Sequence, residues 1–341
     1  MEVRNDIQTM KELLSGFNKV SKPIFWRDLI LFSIIGWVSL LYTSYSHNLF
    51  TLLIGTFMLY RGTMLIHEVS HLSKKITGYR MAYNLLLGYA NSYPAYIYDT
   101  HLFHHGKKTY ATEKDPEYAF IAEYKFGYLV RPILTALLMP LLQIIRFGVM
   151  PLIIPFTPRS VKRFVYRKLS TLVFDTRYER KIINEQKNLN TMMINDFMCS
   201  LYKLVVGFLI YFDVIPFAFI YVWYASVVMA TLLNMYRAIF NHYYANESTK
   251  SLSWEDHLTD TVTVEPGILT NIIFINGLNY HVIHHLFPEM PYHNLAAAHR
   301  HLIANVDDNH IYKKNICKHP FHIIKKCLAK DRLQTLSINN K

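Results

Sequence analysis

Between Leu29 and Tyr60 the chain runs for 32 residues without an Asp, Glu, Lys or Arg. Between Leu204 and Tyr236 it runs for another 33, interrupted only by Asp213. A helix needs about 20 apolar residues to cross a hydrocarbon core about 30 Å thick. Each run is therefore too long for one crossing and about right for two with their turn. Polar breaks at Ser46-His47-Asn48 and Asp213-Val214-Ile215-Pro216 mark the turns. The pattern predicts two transmembrane hairpins, four spans in all, with Asp213 as a turn residue rather than an intramembrane carboxylate. A third apolar stretch, Pro132 to Phe156, is cut by Arg146 and by Pro140, Pro151 and Pro155. Its uncharged pieces are too short to span, which predicts a segment lying along the interface or dipping into it.

Composition agrees. Hydrophobic residues make up 52% of the chain and charged ones 18%, below the roughly 25% of a soluble domain. The 25 tyrosines and 21 phenylalanines suit the aromatic belts of a membrane interface. The formal charge of +12 calls for an acidic partner, and its distribution says which. Arg4, Lys11, Lys19, Lys22 and Arg27 precede the first hairpin; nine Lys/Arg lie between Thr157 and Ser200 and nine more after Leu286. Neither hairpin tip carries one. The positive-inside rule places both termini and the central segment in the cytoplasm, beside anionic headgroups. No nucleic-acid-binding motif accompanies the charge, so nucleic acid is not the expected partner. Cys199, Cys317 and Cys327 have no CxxC spacing, which argues against a disulfide scaffold or a thiolate metal site. Residues Met1 to Lys22 lack the apolar core of a cleavable signal. With no repeat or linker, residues 1–341 read as one domain with basic N- and C-terminal cytoplasmic segments.

The 17 histidines carry the chemistry. Three boxes stand out: His67-Glu68-Val69-Ser70-His71, His101-Leu102-Phe103-His104-His105 and His281-Val282-Ile283-His284-His285, with His242 alone after the last uncharged run. Helical spacing points the two imidazoles of HxxxH at one point. HxxHH offers two to the same face and one rotated away, able to reach a second metal. HxxxH alone is common at this histidine content, whereas two HxxHH boxes in one chain are not. The topology gathers all four elements on the cytoplasmic side, just outside the hydrocarbon. One zinc takes at most four protein ligands, so this set suits two metals, and redox chemistry near lipid favours iron. His67-Glu68-Val69-Ser70-His71 also matches the HExxH of zinc metalloproteases, with Glu68 as general base. That reading leaves both HxxHH boxes idle, and Glu68 is better taken as a partner that orients an imidazole.

With these boxes the chain resembles the membrane fatty acid desaturase superfamily, from about Ile24 to Val306. Thr112-Glu113-Lys114-Asp115-Pro116-Glu117 is similar to the family's acidic-proline continuation of the second box. His284-His285-Leu286-Phe287-Pro288 through Pro291-Tyr292-His293-Asn294-Leu295 is similar to its HHLFP…PYxxL tail, and Arg237 with His242 to its RxxxxH element. The resemblance implies an all-α integral membrane fold: four transmembrane helices as two hairpins beneath a cytoplasmic helical cap that holds a di-metal site. It implies His67, His71, His101, His104, His105, His242, His281, His284 and His285 as ligands of two iron ions, and no catalytic side chain beyond them. It further implies a fatty acyl desaturase that inserts a double bond with dioxygen and two electrons. Relatives with the same ligand set hydroxylate or ketolate lipids and carotenoids, which is the alternative. The HPGG of a fused cytochrome b5 domain is missing, only Lys318-His319-Pro320-Phe321-His322 being present, so a separate ferredoxin- or cytochrome b5-type donor is expected. His47, His257, His293, His299, His301, His310, His319 and His322 have no box partner and read as surface or locally bonded residues.

Overall fold

The structure, a computed structural model, describes residues 2–118, 127–173, 177–182, 185–246 and 250–328. An amphipathic α1 (Glu2–Leu14) leads to α2 (Lys22–Ser46), α3 (Leu49–Thr63) and α4 (Leu65–Leu72). Short helices α5 (Tyr79–Tyr83) and α6 (His101–His104) follow, then α7 (Gly127–Gln143), α8 (Met150–Ile153) and α9 (Arg159–Lys168). The long α10 (Glu185–Tyr211) and α11 (Ala218–Ile239) precede α12 (Trp254–Asp260), α13 (Ile268–Ile273), α14 (His281–Leu286), α15 (Tyr292–Asn305), α16 (Ile311–Lys314) and α17 (Pro320–Leu328). One departure from an all-α chain is a parallel ladder of two residues per strand, β1 (Thr263–Val264) on β2 (Ile316–Cys317).

Both expected turns fall where the polar breaks lie. His47 takes a left-handed conformation at φ 52° and closes α2 onto the Thr43 carbonyl, while the Asn48 side chain accepts from the N–H groups of Phe50 and Thr51 to start α3. Asp213, exposed and at φ 55°, turns the chain between α10 and α11. Two glycines set how closely α2 and α3 pack. A Cβ on Gly36 would lie 2.6 Å from Leu59 Cδ2, and one on Gly55 would lie 2.8 Å from Leu40 Cδ2. The two hairpin tips meet: Tyr45 donates to the Val214 carbonyl at 3.1 Å, and the Tyr221 ring stacks on His47.

Among the described residues, five helical stretches are long and apolar enough to cross a membrane: Lys22–Ser46, Leu49–Leu72, Val130–Phe156, Lys187–Tyr211 and Ala218–Ile239. The sequence presents Pro132 to Phe156 as pieces each too short to span; the structure joins them into one helical stretch of sufficient length and hydropathy. Its pieces join through a π-helical segment, Ile144–Val149, and the charge that divided them is neutralised. Arg146 is buried with its NH1 2.8 Å from Asp196 Oδ2, and Asp196 also accepts from Tyr96 and Tyr166. The first box follows α3 directly: His67 to His71 lie on α4, which continues the same helical stretch after a turn at Met64.

Candidate metal centre

Four elements bring the boxed histidines together. Helix α4 presents His67 and His71, α6 and its cap present His101, His104 and His105, and α14 presents His281, His284 and His285. His242 comes from irregular chain after α11, held by an antiparallel bridge to Thr261. The nine, all buried but the half-buried His71, form two groups: His67, His71, His101, His105 and His284 in one, His104, His242, His281 and His285 in the other, ligand atoms within 4.8 Å of one another in each. The division follows helix geometry. In each HxxHH the i, i+4 pair serves one group and the i+3 residue crosses to the other. His104 leaves its box partners for the group of His281 and His285, and His284 makes the reverse crossing.

The outer nitrogens of His67, His101, His104 and His242 are fixed by protein groups, whereas those of His105 and His281 are buried without a partner. His101 Nδ1 lies 2.7 Å from Glu117, His104 Nδ1 3.0 Å from Asp115 and His67 Nδ1 3.1 Å from Glu68. Tyr110 donates its only hydroxyl proton to Asp260 at 2.6 Å, so it must accept from His242 Nδ1 at 2.8 Å. With Nδ1 donating outward, Nε2 turns a lone pair inward. Yet His104 Nε2 and His242 Nε2 are 3.0 Å apart, and His281 Nε2 lies 3.1 Å from His242 Nε2. Lone pairs at that distance repel unless a cation lies between them. Two nitrogens each about 2.1 Å from one metal, at right angles, stand about 3 Å apart. His67 Nε2 and His71 Nε2 are buried without a partner and belong to the other group. The donor set thus fits two imidazole-bound cations, one per group.

Electrostatics favour neutral ligands. Burial, reinforced by neighbouring imidazoles, holds His101, His105, His242, His281, His284 and His285 well below the ordinary histidine range. His104 differs: burial pulls it down, but Asp115 and the acids behind it outweigh that and raise it. Burial also pushes Glu117 up to about 7. Glu68 sits on the outer side of His67, its oxygens taken by His67 Nδ1 and the Tyr292 N–H, so the general-base role of a metalloprotease does not suit its position.

Residues 43–314 match the family described as fatty acid desaturase. The chain belongs to this family. Its membership in the membrane desaturase and hydroxylase superfamily accounts for the His-rich site and the apolar helices. Among curated relatives, a ceramide hydroxylase from Caulobacter vibrioides (strain NA1000 / CB15N) is 29% identical over 320 residues, 91% of this chain and 90% of that one. A Delta(8)-fatty-acid desaturase from Euglena gracilis is 35% identical over 65 residues, 17% of this chain and 15% of that protein. No solved structure matches.

Three residues of this desaturase-family site escaped the sequence reading. His257 was set aside as locally bonded; its bond, 2.6 Å from Nε2, is to His285 Nδ1. Tyr110 and Asp260 back His242 from positions 132 and 18 residues away in sequence, with no motif to mark them. The other unboxed histidines stay apart from both groups: His299 bonds Tyr312, His310 lies against Asp6, and His319 packs on Phe321.

Proposed function

We propose that the nine histidines hold two iron ions, five ligands to one and four to the other, and that the protein oxidises an unactivated C–H bond of a membrane lipid. The observation that carries this is the pairing of His104 and His242, whose outer nitrogens are both committed and whose inner nitrogens face each other at 3.0 Å. The bound irons would supply activation of dioxygen, chemistry that no side chain performs. The protein's own residues orient the ligands, exclude water and seat the lipid.

A cavity of about 240 Å³ lies between α3, α7 and α11. Leu59, Met139 and Val227 form its apolar wall, while Asn91, Asn234 and Arg237 face it as polar groups. It reaches Tyr98 and Glu117, and Glu117 is hydrogen-bonded to His101. A bare methylene chain has no use for such groups. They suit a lipid whose hydroxyl or amide lies close to the oxidised carbon, as in ceramide, the substrate class in the name of the relative that spans almost the whole chain. The favoured reaction is therefore hydroxylation of a ceramide-type lipid. Desaturation of an acyl chain is the second reading, favoured by the family description and the shorter Euglena match.

The topology that suits this reading has four full spans with both termini cytoplasmic and Val130–Phe156 dipping into the membrane and returning. In support, Leu137 accepts from Tyr224 deep in α11, whereas Arg146 is tied to Asp196 nearer the histidine end of α10. The electrons are proposed to come from a separate ferredoxin- or cytochrome b5-type carrier. The test is a lipid profile of a host expressing the chain beside a His284→Ala control. Sphingolipids heavier by one oxygen, absent from the control, support the hydroxylase. Lipids lighter by two hydrogens support the desaturase, and an unchanged profile from iron-free protein overturns both.

A further inference from the structure

Ser253 caps α12 by accepting from the Asp256 N–H, and the i, i+3 spacing puts Trp254 and His257 on neighbouring positions of its inner face. Trp254 is half-buried at the protein surface, and Lys107 Nζ lies 5.0 Å above its ring. Inward, the Trp254 ring meets His257 edge-on, with centroids 4.9 Å apart at 88°. His257 is 1% exposed and stacks on Tyr110 at 3.6 Å. Its Nε2 is 2.6 Å from His285 Nδ1. Three rings in contact thus run from the surface to a histidine of the four-member group. The outer nitrogens of His67, His101, His104 and His242 end instead on carboxylates or on a phenol backed by one.

We propose that Trp254 and His257 form the electron-entry route to the metal held by His285, and that the surface around Trp254 docks an acidic one-electron carrier protein. This rests on the di-iron reading above. The charges fit such a carrier. Lys107 and Lys108 are exposed, whereas Glu255 is paired with Arg4 at 2.7 Å and the Asp256 carboxylate accepts from Ser253. Leu102 and Phe103, 48% and 42% exposed on the outer side of α6, add an apolar patch along the same segment of chain. The electron count closes. Reducing dioxygen to water, or to water and a hydroxyl, takes four electrons. Two come from the substrate, from the one C–H bond replaced by C–OH in hydroxylation or with the two hydrogen atoms lost from adjacent carbons in desaturation, and two protons from solvent complete the water. The other two arrive singly from the carrier, which is oxidised by one electron at each encounter. Neither ring is consumed; each shortens the distance the electron must tunnel.

The test is anaerobic stopped-flow reduction of the oxidised, iron-loaded protein, followed by the optical change of the metal centre. The carrier is whichever of a reduced [2Fe–2S] ferredoxin and cytochrome b5 reduces the unaltered protein faster, with dithionite as the small reductant. Trp254→Leu is expected to keep its iron and its dithionite rate while the carrier rate falls tenfold or more. Trp254→Phe, which keeps an aromatic ring, should recover most of that rate. Lys107→Glu should weaken the dependence on carrier concentration and flatten the salt dependence. An unslowed carrier rate in iron-loaded Trp254→Leu overturns the route alone. Reduction of the unaltered protein by dithionite but by neither carrier overturns the docking surface. Unaltered protein without reducible iron overturns the di-iron reading and the route together.

Discussion

The two histidine groups use one residue type and are assembled differently. In the five-member group every histidine stands on a short helix or at its end, and two i, i+4 pairs, His67/His71 and His101/His105, supply four of the five. Its outer partners are near in sequence: Glu68 beside His67, and Glu117 sixteen residues from His101. The four-member group has one such pair, His281/His285, and takes His242 from irregular chain. Asp115, eleven residues from His104, is its one near partner; the rest of its support comes from afar, through Tyr110 to Asp260, 150 residues apart, and through His257 to His285. Helical period can build a ligand pair from five consecutive residues. Joining ligands from unrelated segments takes buried hydrogen bonds of long reach, and these fall mostly on the smaller group.

The sharpest way to break the comparison is at the crossing residues. His104→Ala removes a ligand of the four-member group and His284→Ala one of the five-member group, while their box partners stay with the other metal. Each is expected to abolish turnover and lower the iron from about two per chain towards one; full activity in either would contradict the assignment. Next come the distant supports. Tyr110→Phe or Asp260→Asn should leave every imidazole present yet weaken one metal by about 10–100-fold, in line with the loss of outer hydrogen bonds at other metal sites. Competition with a chelator would show it as one weakened metal and one unchanged. Glu68→Gln should cost less, since the amide can still accept from His67 Nδ1; activity should fall but persist, where a metalloprotease would lose it altogether. His319→Ala, which touches neither group, should match the unaltered protein in iron content and product yield.

What the sequence made legible follows the same division. The boxes show helical faces directly, so the i, i+4 pairs and the rotated third histidine of each HxxHH are readable from spacing. The turns at His47 and Asp213 are readable because a local break in hydrophobicity marks them. His257, Tyr110 and Asp260 are not, since each acts through a contact that only the folded chain creates. Arg146 misled for the same reason. Read alone it divides an apolar stretch, but Asp196, fifty residues on, pairs with it and lets one continuous helical stretch form. The cavity at the histidine end was equally out of reach, because its polar residues come from separate parts of the chain, Asn91 from a turn, Glu117 from irregular chain, and Asn234 and Arg237 from α11.

The central claim, two metals divided five to four, is tested most directly by Mössbauer spectroscopy of the purified protein loaded with iron-57. The account expects two quadrupole doublets of about equal area, one of which is lost in His242→Ala while the other survives. A single doublet unaffected by His242→Ala, or a protein that holds zinc and no iron, would contradict it.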